Sequence, residues 1–364
     1  MVATLAVVRS LGSARSLRSA QELEDLEQEL VDQYALASLG AGDCDRTVSQ
    51  ERGVIFEFVR FLGRPLWTAD TNDADRYMAW IRQERGNAKS TAQGKAWTIS
   101  RFYDFLITRY QGDVHAVTGH VLTQPIDEYN RPSNVDSSGS TRVPPTTEEV
   151  EELFTGWASA VEHARKFLPA ARNYVTASLW RRVGLRITET SMLDIRDWRP
   201  DLGDHGKLHM RFGKGSRGRG PKPRLVPAIN STDALIQWWL NDVRPQFGDD
   251  YADPDAPMFP SERHDDLTGF CARVGAKALR DGLAEAVVIW LPRWKGRLPP
   301  HGLRHFCASS LYERGMDLKA IQDLLGHTFL STTTRYIHVH DQHIEHAWAA
   351  ANQRVTERFA GKGD

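Results

Sequence analysis

Cysteine is scarce in this chain of 364 residues, being confined to Cys44, Cys271 and Cys307. Three thiols, odd in number, far apart and without a CxxC pair, argue against a disulfide framework or a cysteine zinc site and fit a reducing cytoplasm. No apolar run approaches the roughly 18 residues of a membrane helix, which excludes a span of that kind. Net charge is almost absent too: 46 Lys+Arg stand against 47 Asp+Glu, so bulk charge alone gives no reason to expect a nucleic-acid partner. What is present is a 41% hydrophobic content, enough to bury a sizeable core and to exclude wholesale disorder, in a length that suits two domains.

The organisation is mainly helical. Residues 1–20 carry Arg9, Arg15 and Arg18 with no acid before Glu22. They read as a disordered leader, although the composition also fits a transit peptide. From Gln21 to about Gln111 four apolar stripes recur at helical spacing. The first holds Leu23, Leu26, Leu30 and Tyr34, and the second Val54, Phe58 and Leu62. The third holds Tyr77, Trp80 and Ile81, and the fourth Ile99, Phe102, Leu106 and Tyr110. Breaks at Gly40–Asp43, Gly63–Pro65 and Gly86 separate them, so 21–129 is expected to form a compact four-helix domain. Residues 130–145, NRPSNVDSSGSTRVPP, lack an apolar period and read as a linker. A helix restarts at Thr146, with Glu149 at capping-box spacing. The second domain, 146–340, is mixed: short strands at Lys207–Met210 and Arg224–Pro227 flank a Gly-rich loop, and three further helices follow. Residues 341–364 form a tail with helical spacing of Ile344, Ala347, Trp348, Val355 and Phe359. The fold class expected is α with a small β-hairpin or sheet (α+β).

Charge is unevenly placed. Residues 205–224 hold Lys207, Arg211, Lys214, Arg217, Arg219, Lys222 and Arg224 and no acid. Interleaved glycines would let this backbone approach a phosphodiester closely; taken alone, the segment fits a solvated basic turn equally well. A second signal is His301-Gly302-Leu303-Arg304-His305, on a helix that Pro299 and Pro300 open and Gly315 closes. An imidazole and a cation at i and i+3 near a helix N-terminus suit a phosphate, whereas a chance surface pair is the blander reading. The third signal is Leu324-Leu325-Gly326-His327 followed nine residues later by Tyr336. Tyrosine is more often a half-buried packing residue than a nucleophile. The fourth is Gly184-Leu185-Arg186-Ile187-Thr188-Glu189, where Gly184 ends one helix, Thr188 is expected to cap the next, and Arg186 sits in the turn.

Together the four change the odds. The stretches GLRITET, FGKGSRGRGPKPRLVP, HGLRH and LLGHTFLSTTTRY strongly resemble, in order and in the His327-to-Tyr336 gap, the tyrosine recombinase (phage integrase) family. The resemblance covers about 146–345; residues 21–129 are similar only in pattern to that family's helical core-binding (SAM-like) DNA-binding domain. It implies the catalytic set Arg186, Lys214, His301, Arg304, His327 and Tyr336, with Glu189 as a partner behind the first arginine. One departure is a longer loop after Lys214, through the extra 218–221 region, which makes Lys222 a weaker rival for the lysine role.

The reaction so implied begins with attack by Tyr336 on a scissile phosphate of double-stranded DNA. A 3′-phosphotyrosine link forms, a 5′-hydroxyl leaves, and a second 5′-hydroxyl reseals the strand without ATP, metal or other cofactor. Two arginine forks match the phosphorane oxygens. His301 would serve as base, Lys214 as acid to the leaving oxygen, and His327 as a hydrogen-bond donor to the phosphate. Lys89, Thr91, Lys95 and Arg101 on the fourth helical stretch, and Arg217, Arg219, Lys222 and Arg224 on the hairpin, are candidate DNA contacts, the two domains clamping the duplex. A homotetramer on DNA, with exchange of the tail between protomers or packing of it in cis, is implied, and a second recombinase or accessory factor is compatible. His338, His340, His343 and His346 match no HExxH spacing and are not read as a metal site. A catalytically silent DNA-binding relative and a metal-dependent nuclease are the rival functions; the intact residue set argues against the first, and EDTA would inactivate the second. No arm-binding domain is evident before residue 21, which tilts away from heterobivalent integrases toward a simpler recombinase, whereas the 364-residue length and the leader exceed what a minimal resolvase needs. Of integrase, transposon recombinase and resolvase, a mobile-element integrase or transposase, cytoplasmic and nucleoid-associated, is the expectation.

Overall fold

The computed structural model describes residues 19–132, 144–213 and 223–326, and these fall into two compact units. The first is built from four helices: α1 (Ala20–Gly40), α2 (Asp45–Leu62), α3 (Thr71–Gln83) and α4 (Lys89–Thr118). Ser19 with Glu22 and Asp70 with Asp73 form capping boxes that open α1 and α3. Gly63, at φ +63°, closes α2 in the left-handed conformation. The predicted stripes converge on one core in which Leu30, Phe58, Tyr77, Phe102 and Leu106 are buried; in the second stripe Val54 and Leu62 are only half-buried, and Ile55, not in the predicted stripe, is buried instead. After α4 the chain runs back over this core, burying Leu122 and Ile126. The ordered structure also reaches past the expected linker start, for buried Asn130 donates to the carbonyl of Pro125 at 2.8 Å and Arg131 donates to Ser100 Oγ at 3.2 Å.

The second unit opens with α5 (Thr147–Val161), capped by Thr146 and Glu149 as the sequence predicts. Helix α6 (Phe167–Arg182) is central and carries buried Ala171, Val175, Leu179 and Trp180. The short α7 (Ile187–Ser191) follows the turn at Gly184, whose φ is +66°. Three antiparallel strands, β1 (Trp198–Arg199), β2 (Lys207–Met210) and β3 (Arg224–Pro227), pair in the order β1-β2-β3. Met210 stands opposite Arg224 and Leu208 opposite Val226. The period-2 alternation drives Leu208, Met210 and Val226 into the core.

Beyond the sheet the structure differs from the expectation of three helices. Four are present among the described residues: α8 (Thr232–Trp238), which runs on as a π-helical turn over Trp239–Val243, then α9 (Ala276–Trp290), α10 (Pro300–Glu313) and α11 (Leu318–Leu325). A second hairpin, β4 (Pro260–His264) with β5 (Cys271–Arg273), was not expected. Its first strand is largely exposed and polar, so it carries no apolar alternation to read. Beneath it lies a fully buried ion pair, Arg244 Nη1 to Asp249 Oδ1 at 2.5 Å, and Asp249 also accepts from the Cys271 amide at 2.8 Å. Among the described residues no helix is long and apolar enough to cross a membrane.

Candidate active site

The chain's turn at Gly184 sets the site. A side chain there would place its Cβ 2.4 Å from Leu325 Cδ2 in a left-handed backbone, so only glycine fits. The next helix therefore begins earlier than expected: Arg186, not Thr188, takes the N-cap position of α7, and Thr188 is exposed. Glu189 at the third helical position accepts the Arg186 amide through Oε2 at 2.9 Å and Arg186 Nη1 through Oε1 at 2.6 Å. The arginine expected in an open turn is thereby locked by its own backbone and side chain to one carboxylate.

Glu189 is buried and shared. Arg224, opening β3, donates Nη1 to Oε1 at 2.7 Å and Nη2 to Oε2 at 2.8 Å. Burial alone would raise the Glu189 carboxyl, but the hydrogen bonds and charge of Arg224, with the charge and amide of Arg186, overcome it and hold it at about 2. Glu189 is therefore a carboxylate at any physiological pH.

Three arginines meet at the C-terminal end of α11. Arg224 Nε donates to Leu324 O at 3.2 Å, Arg304 Nη2 to Leu325 O at 2.6 Å and Arg186 Nη2 to Gly326 O at 3.1 Å. These are the carbonyls a helix end leaves without an internal partner, at its negative pole. Arg304 Nη1 also donates to Gly184 O. Arg304 is drawn inward to 1% exposure, whereas His301, one turn earlier on α10, is exposed. The expectation that the two share a surface face therefore does not hold for Arg304. Pro300 occupies the first turn of α10, as expected, and the His301 and His305 rings meet edge to face with centroids 4.8 Å apart. Cys307, buried beside the Gly184 turn, is pushed up to about 12 by burial and stays a neutral thiol, which removes it as a nucleophile.

The structure thus brings Arg186, Glu189, Arg224 and Arg304 together around the turn that leads into His327. Lys214, His327, Tyr336, Arg217, Arg219, Lys222, the four tail histidines and the tail helix lie outside the described residues. Of the hairpin cations that are described, two are paired inward: Arg224 with Glu189, and Arg211 with Asp194 and Asp197, Nε reaching Asp197 Oδ1 at 2.7 Å. Arg224 thus belongs to the arginine cluster, although by sequence it was read only as a DNA contact. Its partner lies 35 residues away, and no local spacing signals the pair.

In the first unit, Lys89 and Thr91 sit exposed on the first turn of α4. Lys95 Nζ meets Glu57 Oε1 at 2.6 Å. Arg101 pairs with Asp43 Oδ2 at 2.6 Å and Glu51 Oε1 at 3.2 Å, and lies over the Trp97 ring at 5.3 Å. Both cations are engaged by carboxylates of their own unit.

A family model described as the phage integrase family matches residues 146–343. The tyrosine recombinase XerC of Chromohalobacter salexigens is 30% identical over 332 residues, covering 89% of this chain and 95% of its own length. Among solved structures, the Tn1549 transposon integrase in complex with transposon right-end DNA superposes with a TM-score of 0.62 at 18% identity, covering 90% of this chain and 99% of that one. A lambda integrase dimer bound to a COC' core site gives 0.60 at 16%, covering 85% and 94%. These two carry the fold, while the family match spans more than half of the chain and the XerC relative nearly all of it. The chain belongs to the phage integrase family and is a tyrosine recombinase.

Proposed function

We propose that this chain recombines double-stranded DNA at a specific site, with Tyr336 as the nucleophile that forms a 3′-phosphotyrosine link. The observation that carries the reading is the convergence of Arg186 and Arg304 on successive carbonyls at the end of α11, those of Leu325 and Gly326, which precede His327 in the sequence. Two fixed guanidinium forks beside one turn suit the extra charge of a pentacoordinate phosphorane. Preorganisation matters here, because a donor that is already held need not reorganise as charge develops.

A tyrosine hydroxyl ionises near pH 10 and needs a proton acceptor at neutral pH. Exposed His301, at the start of α10, is the proposed base, and Lys214 the proposed acid to the leaving 5′-oxygen. His327 completes the phosphate contacts. Bond energy is kept in the phosphotyrosine, and a 5′-hydroxyl of the partner strand recovers it on rejoining. A homotetramer on DNA, with tails exchanged between protomers, would hold four such sites. The mobile-element relatives of the same fold support an integrase or transposase role, and a bacterial-type nucleoid is the proposed place of action.

The test is covalent capture. Purified protein is incubated with genomic DNA of its host in EDTA, denatured in SDS, and linked DNA is recovered and sequenced. Wild type should enrich discrete fragments and Tyr336→Phe none. An adduct that survives Tyr336→Phe rejects the nucleophile. No adduct from wild type that still binds DNA favours a silent DNA-binding relative.

A further inference from the structure

By sequence, Arg224 is one more base on a basic hairpin and a candidate phosphate contact. In the fold its side chain is 11% exposed and turned inward. Three separate observations fix it there. Its fork is bidentate on Glu189, at 2.7 and 2.8 Å. Its Nε donates to Leu324 O at 3.2 Å. Its Cδ, Nε and Cζ stand 2.8 to 3.0 Å from where a Cβ on Gly326 would lie, so the α11 end is built around this side chain. A phosphate contact would require the fork to leave a buried carboxylate, and an unpaired buried charge is strongly disfavoured.

The arrangement also decides how Arg186 points. Each Glu189 oxygen accepts one bond from Arg186 and one from Arg224. With Arg224 removed, half of the acceptor sites on Glu189 open, and the Arg186 fork can swing onto them and away from Gly326. We infer that Arg224 is a positioning residue for strand cleavage: its fork holds Glu189, Glu189 holds the Arg186 side chain, and its stem seats the end of α11. The inference rests on the recombinase reading above, with Arg186 at the scissile phosphate.

The test measures single-turnover adduct formation on a duplex of the captured sequence, nicked beside the scissile phosphate so that the released fragment diffuses away. The rate constant reports chemistry, the amplitude reports the folded fraction, and the salt dependence of DNA affinity counts phosphate contacts. Arg224→Gln should slow the rate constant by about 10²-fold, the scale of a misplaced catalytic group. Amplitude and DNA affinity should stay within about twofold, with an unchanged salt slope. Arg224→Lys keeps the charge without the fork, serves where Arg224→Gln does not fold, and should remain about tenfold slow. In an Arg186→Ala background either substitution should change the rate by less than about twofold, because the residue it acts through is gone. A normal rate constant with a salt slope shallower by about one makes Arg224 a phosphate contact and overturns the inference. A normal rate constant with reduced amplitude makes it a fold residue only, and full multiplicativity with Arg186→Ala overturns it as well. If wild type itself forms no adduct on a duplex it binds, the recombinase reading fails and takes this role with it; each other adverse outcome spares that reading.

Discussion

Arg304 holds the end of helix α11 by donating Nη2 to Leu325 O at 2.6 Å. With Arg224 on Leu324 O and Arg186 on Gly326 O, three consecutive carbonyls are each taken by a different arginine. Arg186 and Arg304, the two of these proposed to bind the phosphate, thus also cap the end of α11. Substituting them removes a donor from the reaction and a cap from the helix at once. Arg304→Ala leaves the carbonyls of Gly184 and Leu325 without this donor in a buried site. It should destabilise the chain by about 3 kcal/mol as well as slow adduct formation by about 10²–10³-fold. Urea unfolding and the capture assay measure the two effects separately. Loss of activity at unchanged stability would rule out the capping role.

Glu189 gives a pH signature. Its carboxyl, held at about 2 against an ordinary 4.5, is depressed in the folded state. The stability it contributes is complete above about pH 4.5 and is lost as pH falls toward 2, where the folded state must also take up the proton. The shift corresponds to about 3 kcal/mol. Urea midpoints across pH 5 to 2.5 should fall more steeply for wild type than for Glu189→Gln, which has no proton to gain at this position. Parallel curves would mean that the carboxylate is not paired as described.

Gly184 and Gly326 share φ +66° but differ from Gly315, at φ +89°, in what surrounds them. A Cβ meets Leu325 at 2.4 Å on the first and Arg224 at 2.8 Å on the second, and nothing within 4 Å on the third. Gly315→Ala should cost only the left-handed strain, about 1 kcal/mol, whereas Gly184→Ala and Gly326→Ala add overpacking of about 1–3 kcal/mol. Gly326→Ala should also slow adduct formation, because it pushes on Arg224. Thermal melts of the three variants decide the order.

Much of this frame is legible in the residues, and the exceptions have physical causes. The box of Thr146 and Glu149 is read from local spacing because capping is a local interaction. The strands Lys207–Met210 and Arg224–Pro227 are bounded by glycine and proline; the first alternates cleanly, and the second buries Val226 and leaves Leu225 exposed. Strand β1 has two residues, too few for a period, and β4 shows no apolar alternation. The motif spacing picks out Arg186 and Arg304 but not their inward turn, because the carbonyls they seek belong to α11, far along the chain. The same is true of Arg224, whose charge suggests DNA until Glu189 is seen beside it. Composition locates cations; only the fold tells which of them are already spent on a carboxylate.

That distinction gives a prediction for the first unit. Arg101 is tied to Asp43, Glu51 and the hydroxyl of Ser38, and Lys95 to Glu57. A cation bound this way releases no counterions unless its carboxylate is displaced, so it adds little to the salt dependence of DNA binding. Lys89 is exposed on the first turn of α4 and is a candidate phosphate contact by its position. Lys89→Ala should make the slope of log affinity against log salt shallower by about one if it meets a phosphate. Arg101→Ala should leave that slope nearly unchanged and instead lower stability by about 1–3 kcal/mol, since it leaves nearly buried Glu51 with only its bond from Tyr34. Binding of the captured duplex at several salt concentrations, beside urea unfolding of the same full-length variants, separates the cases. A full unit of slope lost in Arg101→Ala at unchanged stability would show that the arginine leaves its carboxylates for DNA.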